Sequence, residues 1–269
     1  MLPKTEEVSQ FYDKFLSERM VNYRVYGNIR IESAAKFFAD HVGADSTVVD
    51  IGCGIGIGTE TMAKKARSGM VFGVDISDMN IWYAKQTVRL PNIQFHTLDV
   101  GQGISRLREL LHGKPVDVFT LGDVIEHLTE EARALLFRSM ASLGSPRVKI
   151  LITIPSEFYQ RYLIAEHPEE LQIIDNIITP TLLEQEGRRE GFALTYFKVV
   201  AMWHRAQYAH CIFEREPEIM KEVGIPAPSE PLNVLKRGKR AMDKFFIHRL
   251  KYKKYVTDVF ANVAKSPRS

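Results

Sequence analysis

Two features that place a chain outside the cytoplasmic globular class are missing from these 269 residues. No run approaches the roughly 18 consecutive apolar residues of a membrane-spanning helix, and the N-terminal stretch MLPKTEEVSQ lacks the apolar segment of a signal peptide. Cysteine is also scarce. Cys53 and Cys211 are the two present, and Cys53 lies inside a glycine-rich stretch, which argues against a disulfide framework. We therefore expect a cytoplasmic protein.

What is present is typical of one globular domain with an extension. Hydrophobic residues make up 45% of the chain and charged residues 26%. The net charge of +3 is unevenly distributed. Between residues 231 and 269, eleven Lys and Arg stand against Asp243 and Asp258, which gives +9 and leaves −6 for the rest. The C-terminal segment is therefore electrostatically distinct from the body.

The order of predicted elements indicates an α/β fold. Strand patterns occur at 47–51, 70–76, 92–96, 116–121 and 148–154, and helical patterns at 57–68, 78–89, 103–112, 129–143 and 179–190. Such alternation predicts a Rossmann-like, doubly wound, mostly parallel sheet. Two further strand patterns, 193–202 and 206–213, predict an antiparallel edge hairpin and bring the sheet to seven strands. We expect N-terminal helices or a lid over 1–46, the main domain over 47–214, and a proline-containing linker with a basic helical extension over 215–269.

A glycine-rich loop, VVDIGCGIGIGT, follows the first predicted strand. The dinucleotide-binding pattern G-x-G-x-x-G does not fit it, because the third glycine position is occupied by Ile57 or Thr59. The residues present are Asp50, Gly52, Gly54 and Gly56, an acidic residue followed by alternating glycines. This resembles motif I of the class I S-adenosylmethionine-dependent methyltransferases, whose cofactor carries an ammonium and a sulfonium that a carboxylate can serve.

Two more acidic residues follow the next two predicted strands. Asp75 ends the second strand, and Asp99 follows the third. The resemblance implies that Asp75 binds the ribose hydroxyls and Asp99 the adenine amino group, with the adjoining Ile76 and Val100 against the cofactor. Each acid alone can equally be a turn or helix cap. The resemblance covers about residues 30–214 and implies S-adenosyl-L-methionine as cofactor and S-adenosyl-L-homocysteine as product.

The stretch LGDVIEHLTEE follows the fourth strand. It resembles the D/E-V-I-E-H-L stretch of small-molecule O-methyltransferases, a branch that includes ubiquinone-biosynthesis enzymes. The resemblance implies that Gly122 and Asp123 line the cofactor while Glu126 and His127 face the acceptor, with His127 as general base. The alternative is that Glu126 and His127 form an exposed turn before the next helix.

A second resemblance uses the same stretch. Asp123, Glu126 and His127, with His167 further on, resemble the E-x-x-E-H…H metal set of small-RNA 2′-O-methyltransferases of the Hen1 type. The first ligand is Asp rather than Glu, however, and the aromatic stretch expected after the second histidine is replaced by PEELQIIDNIITP. We therefore predict no bound metal. A non-catalytic cofactor-binding partner subunit is the remaining alternative, against which the intact motifs argue.

The regions outside these motifs suggest how ligands are held. Related enzymes carry a lid before the first strand, and Arg30 or Tyr26 can bind the methionyl carboxylate from it, although solvated helix surface is an equal alternative. We expect acceptor specificity to reside in residues 156–178.

The basic tail has an apolar stripe of Met242, Phe245, Phe246 and Leu250 at helical spacing. Such a helix can dock on the acidic body, lie on an anionic membrane surface, or bind a phosphate backbone.

Taken together, the motifs predict methylation of a hydroxyl on a small molecule or saccharide. Nucleic acid is the less favoured partner, and the oligomeric state stays open.

Overall fold

The computed structural model describes residues 21–104, 106–172, 174–216, 248 and 250–257. Two helices, α1 (Val21–Tyr26) and α2 (Ile29–Ala39), precede the first strand, in the region where N-terminal helices were expected. Most of the predicted linker, which begins near residue 215, and the residues Met242, Phe245 and Phe246 of the predicted apolar stripe fall within 217–247, which lies outside the described residues. Among the described helices, none combines the length and the apolar character needed to cross a membrane.

The centre of the molecule is a seven-stranded sheet in the order β3-β2-β1-β4-β5-β7-β6. Its strands are β1 (Thr47–Ile51), β2 (Met70–Asp75), β3 (Ile93–Thr97), β4 (Val116–Gly122), β5 (Gly144–Pro155), β6 (Phe192–Val200) and β7 (Tyr208–Arg215). The first five pair in parallel, and β7 pairs antiparallel with both β5 and β6. The predicted Rossmann-like sheet and its antiparallel edge are confirmed.

Helices fill the connections between the strands. They are α3 (Ile57–Ala63), α4 (Asp78–Thr87), α5 (Leu107–Leu110), α6 (Glu130–Leu143), α7 (Glu157–Glu166) and α8 (Pro180–Arg189). The hydroxyls of Ser77, Thr129, Ser156 and Thr179 accept from backbone N–H groups in the first turns of α4, α6, α7 and α8. These caps satisfy donors that a helix leaves free at its start, so the sequence fixes where each helix begins.

Alternate residues of each central strand pack into two separate cores. Val49 and Ile51 point to the face covered by α6 and α8, whereas Val48 packs with α2 and α3 on the other face. This follows from the two-residue repeat of a strand buried on both sides.

Three predicted boundaries were wrong. Helix α3 ends at Ala63 rather than near residue 68. Beyond this end, the carbonyls of Ala63 and Ala66 accept hydrogen bonds from Asn92 Nδ2. Helix α5 is a single turn, because Gly103 before it has a φ of +90° that no helix tolerates. Strand β5 begins at Gly144 rather than 148, since Gly144 already pairs with Val116 across a register shift.

Candidate cofactor and acceptor site

The glycine loop leaves the carboxyl end of β1 in a conformation that needs glycine. Gly52 has a φ of +69° and Gly56 a φ of +77°. A Cβ on Gly52 would lie 2.3 Å from Val124 Cγ2, and one on Gly56 would lie 2.8 Å from Phe95 Cζ. Both glycines therefore serve conformation and close packing. Gly52 also lines a cavity at this end of the sheet, whereas Gly56 is not among its lining residues and begins α3 instead.

The cavity lies over the carboxyl ends of β1, β2, β3 and β4, the side on which open α/β sheets bind ligands. It collects most of the predicted site residues. These are Arg30, Asp50, Gly52, Gly54, Asp75, Ile76, Asp99, Val100, Gly122, Asp123 and His127. Their individual roles stay predictions, but the structure brings them to one place.

Asp50 is the most deeply buried carboxylate of this cavity. Its two oxygens accept hydrogen bonds from the hydroxyls of Thr59, at 2.6 Å, and Thr120, at 2.7 Å. Burial nevertheless raises its pKa to about 6, because desolvation of the charge outweighs both hydrogen bonds, and the nearby Asp75 raises it further. A cationic group entering the cavity would favour the ionised form.

Asp75 holds the glycine loop in place. Its Oδ2 accepts from the backbone N–H of Gly54 at 2.8 Å, and its Oδ1 accepts from the N–H of Ser77 and from Asn80 Nδ2. Asp99 behaves similarly at the next strand, accepting from Gly101 N–H and Gln102 Nε2. Asp75 and Asp99 therefore both cap turns through backbone N–H groups, as the alternative to cofactor binding implied. Both also line the cavity.

Tyr26 and Arg30, the two candidates for binding the methionyl carboxylate, lie in different places. Tyr26 is 60% exposed, and its ring meets His248 edge-on at 5.9 Å, away from the lining residues of the cavity. Tyr26 sits at the last position of α1, which turns its ring outward. Arg30 does line the cavity, but there its guanidinium forms an ion pair with Asp123. The candidate carboxylate-binding residue is therefore Arg30, already facing one internal carboxylate.

Glu126 and His127 form a short 3₁₀ turn, Ile125–His127, directly after β4. The exposed-turn alternative does not hold, because Glu126 is 1% exposed and the His127 side chain 11%. Glu126 is not among the residues that line the cavity. Burial raises the pKa of Glu126 to about 8, and the neighbouring Asp175 adds to the rise. Glu126 is thus protonated at neutral pH.

The ring of His127 is held by a loop that sequence reasoning left unresolved. His127 Nδ1 lies 2.7 Å from the carbonyl oxygen of Ile174. A carbonyl only accepts, so the proton is on Nδ1 and Nε2 keeps its lone pair. Burial lowers the pKa of His127, which keeps the imidazole neutral. This is the tautomer a general base requires.

Asn176 anchors that loop. Its backbone N–H donates to the carbonyl of Glu126 at 2.9 Å, and its Nδ2 donates to the carbonyls of Glu126 and Leu128 at 2.7 and 3.0 Å. Asn176 was not singled out in the sequence, where the only signal is a polar Asp-Asn pair inside the apolar run IIDNII. Of residues 156–178, Gln172 lies in the cavity wall, and the role of this segment in acceptor specificity stays a prediction.

The candidate metal set is not assembled. The ring nitrogens of His167 bind Tyr162 Oη at 2.9 Å and Glu169 Oε1 at 3.3 Å. Within the described ranges, His167 groups with Glu169 and Glu170 as possible ligands, and not with the Asp123, Glu126 and His127 side chains. This geometry does not provide the four-residue site of the small-RNA enzymes.

The seven-stranded sheet, in the order β3-β2-β1-β4-β5-β7-β6, has the Rossmann-like methyltransferase fold. Residues 48–147 match the family model described as "Methyltransferase domain". This region of the chain is therefore similar to a methyltransferase domain. That match spans β1 through the start of β5 and includes the whole glycine loop.

Comparison with other proteins extends this result. The chain is similar to the ubiquinone biosynthesis O-methyltransferase of Neisseria meningitidis, 27% identical over 118 residues, or 43% of this chain and 47% of the relative. It is also similar to the 235L protein of Invertebrate iridescent virus 6, 36% identical over 69 residues, or 25% of each chain. The chain thus spans a quarter to about half of the length of these curated relatives.

Solved structures share the fold at lower identity. Magnesium protoporphyrin IX methyltransferase from Synechocystis PCC 6803, solved with bound S-adenosylhomocysteine, superposes with a TM-score of 0.58 at 17% identity, covering 79% of this chain and all of that one. The methyltransferase domain of bacterial CtHen1-C gives a TM-score of 0.53, also at 17% identity, covering 70% of this chain and 98% of that one. Equal identity to both shows a common fold and does not discriminate between their acceptors.

Proposed function

We propose that the chain transfers a methyl group from S-adenosylmethionine to a hydroxyl oxygen of a small molecule or saccharide. The observation that carries this proposal is the state of His127. Its Nδ1–H is held by the Ile174 carbonyl, so that Nε2 keeps its lone pair, and its side chain lines the cavity that contains the glycine loop. A neutral imidazole in that position is suited to accept a hydroxyl proton.

The residues of the cavity fit the cofactor. Asp50, Asp75 and Asp99 converge there from three strands, and Asp123 has one buried oxygen, Oδ1, without a hydrogen-bond partner in the structure. Such an atom is costly unless a ligand or solvent donor meets it. The bound cofactor supplies a methyl group activated by its sulfonium.

The protein's share of the chemistry is positioning and proton transfer. The acceptor oxygen has to be held in line with the methyl group, which supplies most of the acceleration by effective concentration. Its proton passes to His127 Nε2. Glu126 is the poorer base because its raised pKa of about 8 leaves it protonated at neutral pH. The protonated carboxyl is instead a neutral neighbour, 3.8 Å from the imidazole.

The surrounding polar groups favour an acceptor that carries hydrogen-bond donors. Both carboxyl oxygens of Glu126 and the Oε1 of Gln160 are buried without partners in the structure, and Gln160 Nε2 binds Asp175. The protonated Glu126 carboxyl can donate through its hydroxyl and accept through its carbonyl oxygen, and Gln160 Oε1 can accept from a hydroxyl. The similarity to a ubiquinone biosynthesis O-methyltransferase supports an oxygen acceptor as well, over the aligned 43% of this chain.

The test is an acceptor screen with methyl-labelled S-adenosylmethionine. Phenols, sugars and polyols are compared with primary amines and with short single-stranded RNA, each with and without EDTA. Label transfer to hydroxyl compounds that is lost in His127→Asn supports the proposal. Asn keeps a donor for the Ile174 carbonyl but has no basic nitrogen. Transfer to amines alone, or EDTA-sensitive transfer to the RNA 3′ end, contradicts it.

A further inference from the structure

The C-terminal segment 250–257 packs against the outer side of the cofactor loop. Ile55 of that loop is 1% exposed and forms an apolar cluster with Tyr83 of α4, against which Val256 packs. Ile55 and Ile57 also line the cofactor cavity with their inner surfaces. A residue two hundred positions away along the chain thus supports the wall on which the cofactor is expected to lie.

Tyr255 connects the same segment to two helices. Its ring lies under the guanidinium of Arg24, with the Arg24 Cζ 4.6 Å from the ring centroid. Its carbonyl oxygen accepts a hydrogen bond from the Tyr83 hydroxyl. Arg24 is 7% exposed and donates to Glu60 Oε2 at 2.6 Å, and Glu60 belongs to α3, the helix that the glycine loop begins. The Tyr255 ring, the Arg24 guanidinium and the Glu60 carboxylate therefore form a continuous series of contacts from the C-terminal segment to the helix that follows the loop.

We propose that residues 250–257 act as a strap that holds the glycine loop in its binding conformation, with Tyr255 and Val256 as positioning residues for the cofactor. The loop contains three glycines at positive φ, Gly52, Gly54 and Gly56. Glycine has unusual freedom in an unsupported loop, so ordering the loop opposes binding. A strap that keeps it ordered before binding removes that cost and raises affinity.

The strap also explains the composition of the segment. The residues that face the body, Tyr255 and Val256, are half-buried, whereas Leu250 and Tyr252 are 66% and 45% exposed, and Lys251, Lys253 and Lys254 are exposed as well. The acidic Glu60 on α3 forms its ion pair with Arg24, on which Tyr255 packs, and not with a lysine of residues 250–257. Attachment is therefore mainly aromatic and apolar, and the lysines remain at the surface.

The proposal is tested on the full-length chain with S-adenosylhomocysteine, without any acceptor. Calorimetry of Tyr255→Ala should show a dissociation constant about 10-fold higher than that of the wild type, the size expected for losing a partly buried cation–π contact and its apolar packing. Tyr255→Phe keeps the ring and the main-chain carbonyl and should bind within about twofold of the wild type. Tyr252→Ala, which removes an exposed tyrosine from the same segment, is the matched control and should do the same.

Hydrogen exchange of the ligand-free proteins gives a second readout. Amides between residues 52 and 60 should exchange faster in Tyr255→Ala than in the wild type or Tyr252→Ala. Unchanged affinity and unchanged exchange in Tyr255→Ala would overturn the strap, as would an equal loss in Tyr252→Ala. A wild type that binds S-adenosylhomocysteine but methylates nothing would instead count against the proposed function. Faster exchange of residues 52–60 in Tyr255→Ala would still support the strap in that case.

Discussion

Replacement of Asp50 by Asn should stabilise the protein and weaken its hold on the cofactor. Asn has nearly the shape of a protonated Asp. Its carbonyl can accept from one of the hydroxyls of Thr59 and Thr120, and its amide can donate to the other. It carries no charge that must be desolvated. The variant thus removes the ionisation of Asp50 while keeping the local packing.

The size of the effect follows from the pKa of Asp50. It rises from 3.8 to about 6 on folding, a difference that corresponds to about 3 kcal/mol of folding free energy. Because the folded state holds the proton more tightly, the unfolded chain loses it first as pH rises. The contribution of Asp50 to stability is therefore present below about pH 4 and lost as pH rises through about 6. Asp50→Asn should be more stable than the wild type by up to about 3 kcal/mol at pH 7.

Urea unfolding from pH 4 to pH 8, without ligand, measures this difference. The two stability curves should converge at the acid end and separate between about pH 4 and pH 7. Parallel curves, or a variant less stable than the wild type at pH 7, would refute the reasoning about desolvation.

Cofactor binding should respond in the opposite direction. An ionised Asp50 near the ammonium or sulfonium makes a charge-assisted contact that Asn cannot, so affinity for S-adenosylmethionine should fall about 10-fold or more. Binding to the wild type near pH 6 should also release a proton, visible as a dependence of the calorimetric heat on buffer ionisation enthalpy. A variant that retains wild-type affinity and proton release would show that Asp50 only shapes the loop.

Three further outcomes are expected. Asp75→Ala should weaken S-adenosylhomocysteine binding by about 1–3 kcal/mol, since it leaves the Gly54 N–H without its partner as well as removing a ligand contact; unchanged calorimetric affinity would contradict this. With the acceptor found by the screen, His127→Asn should lower kcat about 10²-fold or more while cofactor affinity stays the same. The wild-type rate should rise with pH with its midpoint below the ordinary His pKa, because burial lowers the pKa of His127, and a flat profile would argue against a base. Turnover should be unaffected by EDTA, since His167 is engaged by Tyr162 and Glu169; loss of activity that manganese restores would reverse this expectation.

The cofactor side of the site could be predicted from sequence because each of its main residues lies within a few positions of a strand end. Asp50 is the residue before the last of β1, Asp75 is the last residue of β2, and Asp99 follows β3. Strand patterns fix those ends, and parallel pairing then brings them together. The conformation of residues 171–178 has no such local signal, since it depends on hydrogen bonds from Asn176 to carbonyls about fifty positions earlier. Tyr26 was misplaced for a similar reason, because helix spacing does not specify which side of α1 meets the body.

The same division explains why the acceptor is harder to infer than the cofactor. The proposed acceptor side combines residues of α2, the turn after β4 and Gln172 of the 171–178 loop, which tertiary contacts bring together. Within that loop the contacts of Asn176 go to main-chain carbonyls, so its anchoring does not depend on the side chains it meets. The carbonyl of Ile174 that sets the tautomer of His127 is also main chain, whereas Asp175 holds the loop with its side chain by accepting from the backbone N–H of Gln172. The proposed base is thus positioned by main chain, and Gln172, a residue of this loop that lines the cavity, is the first position at which to test acceptor specificity.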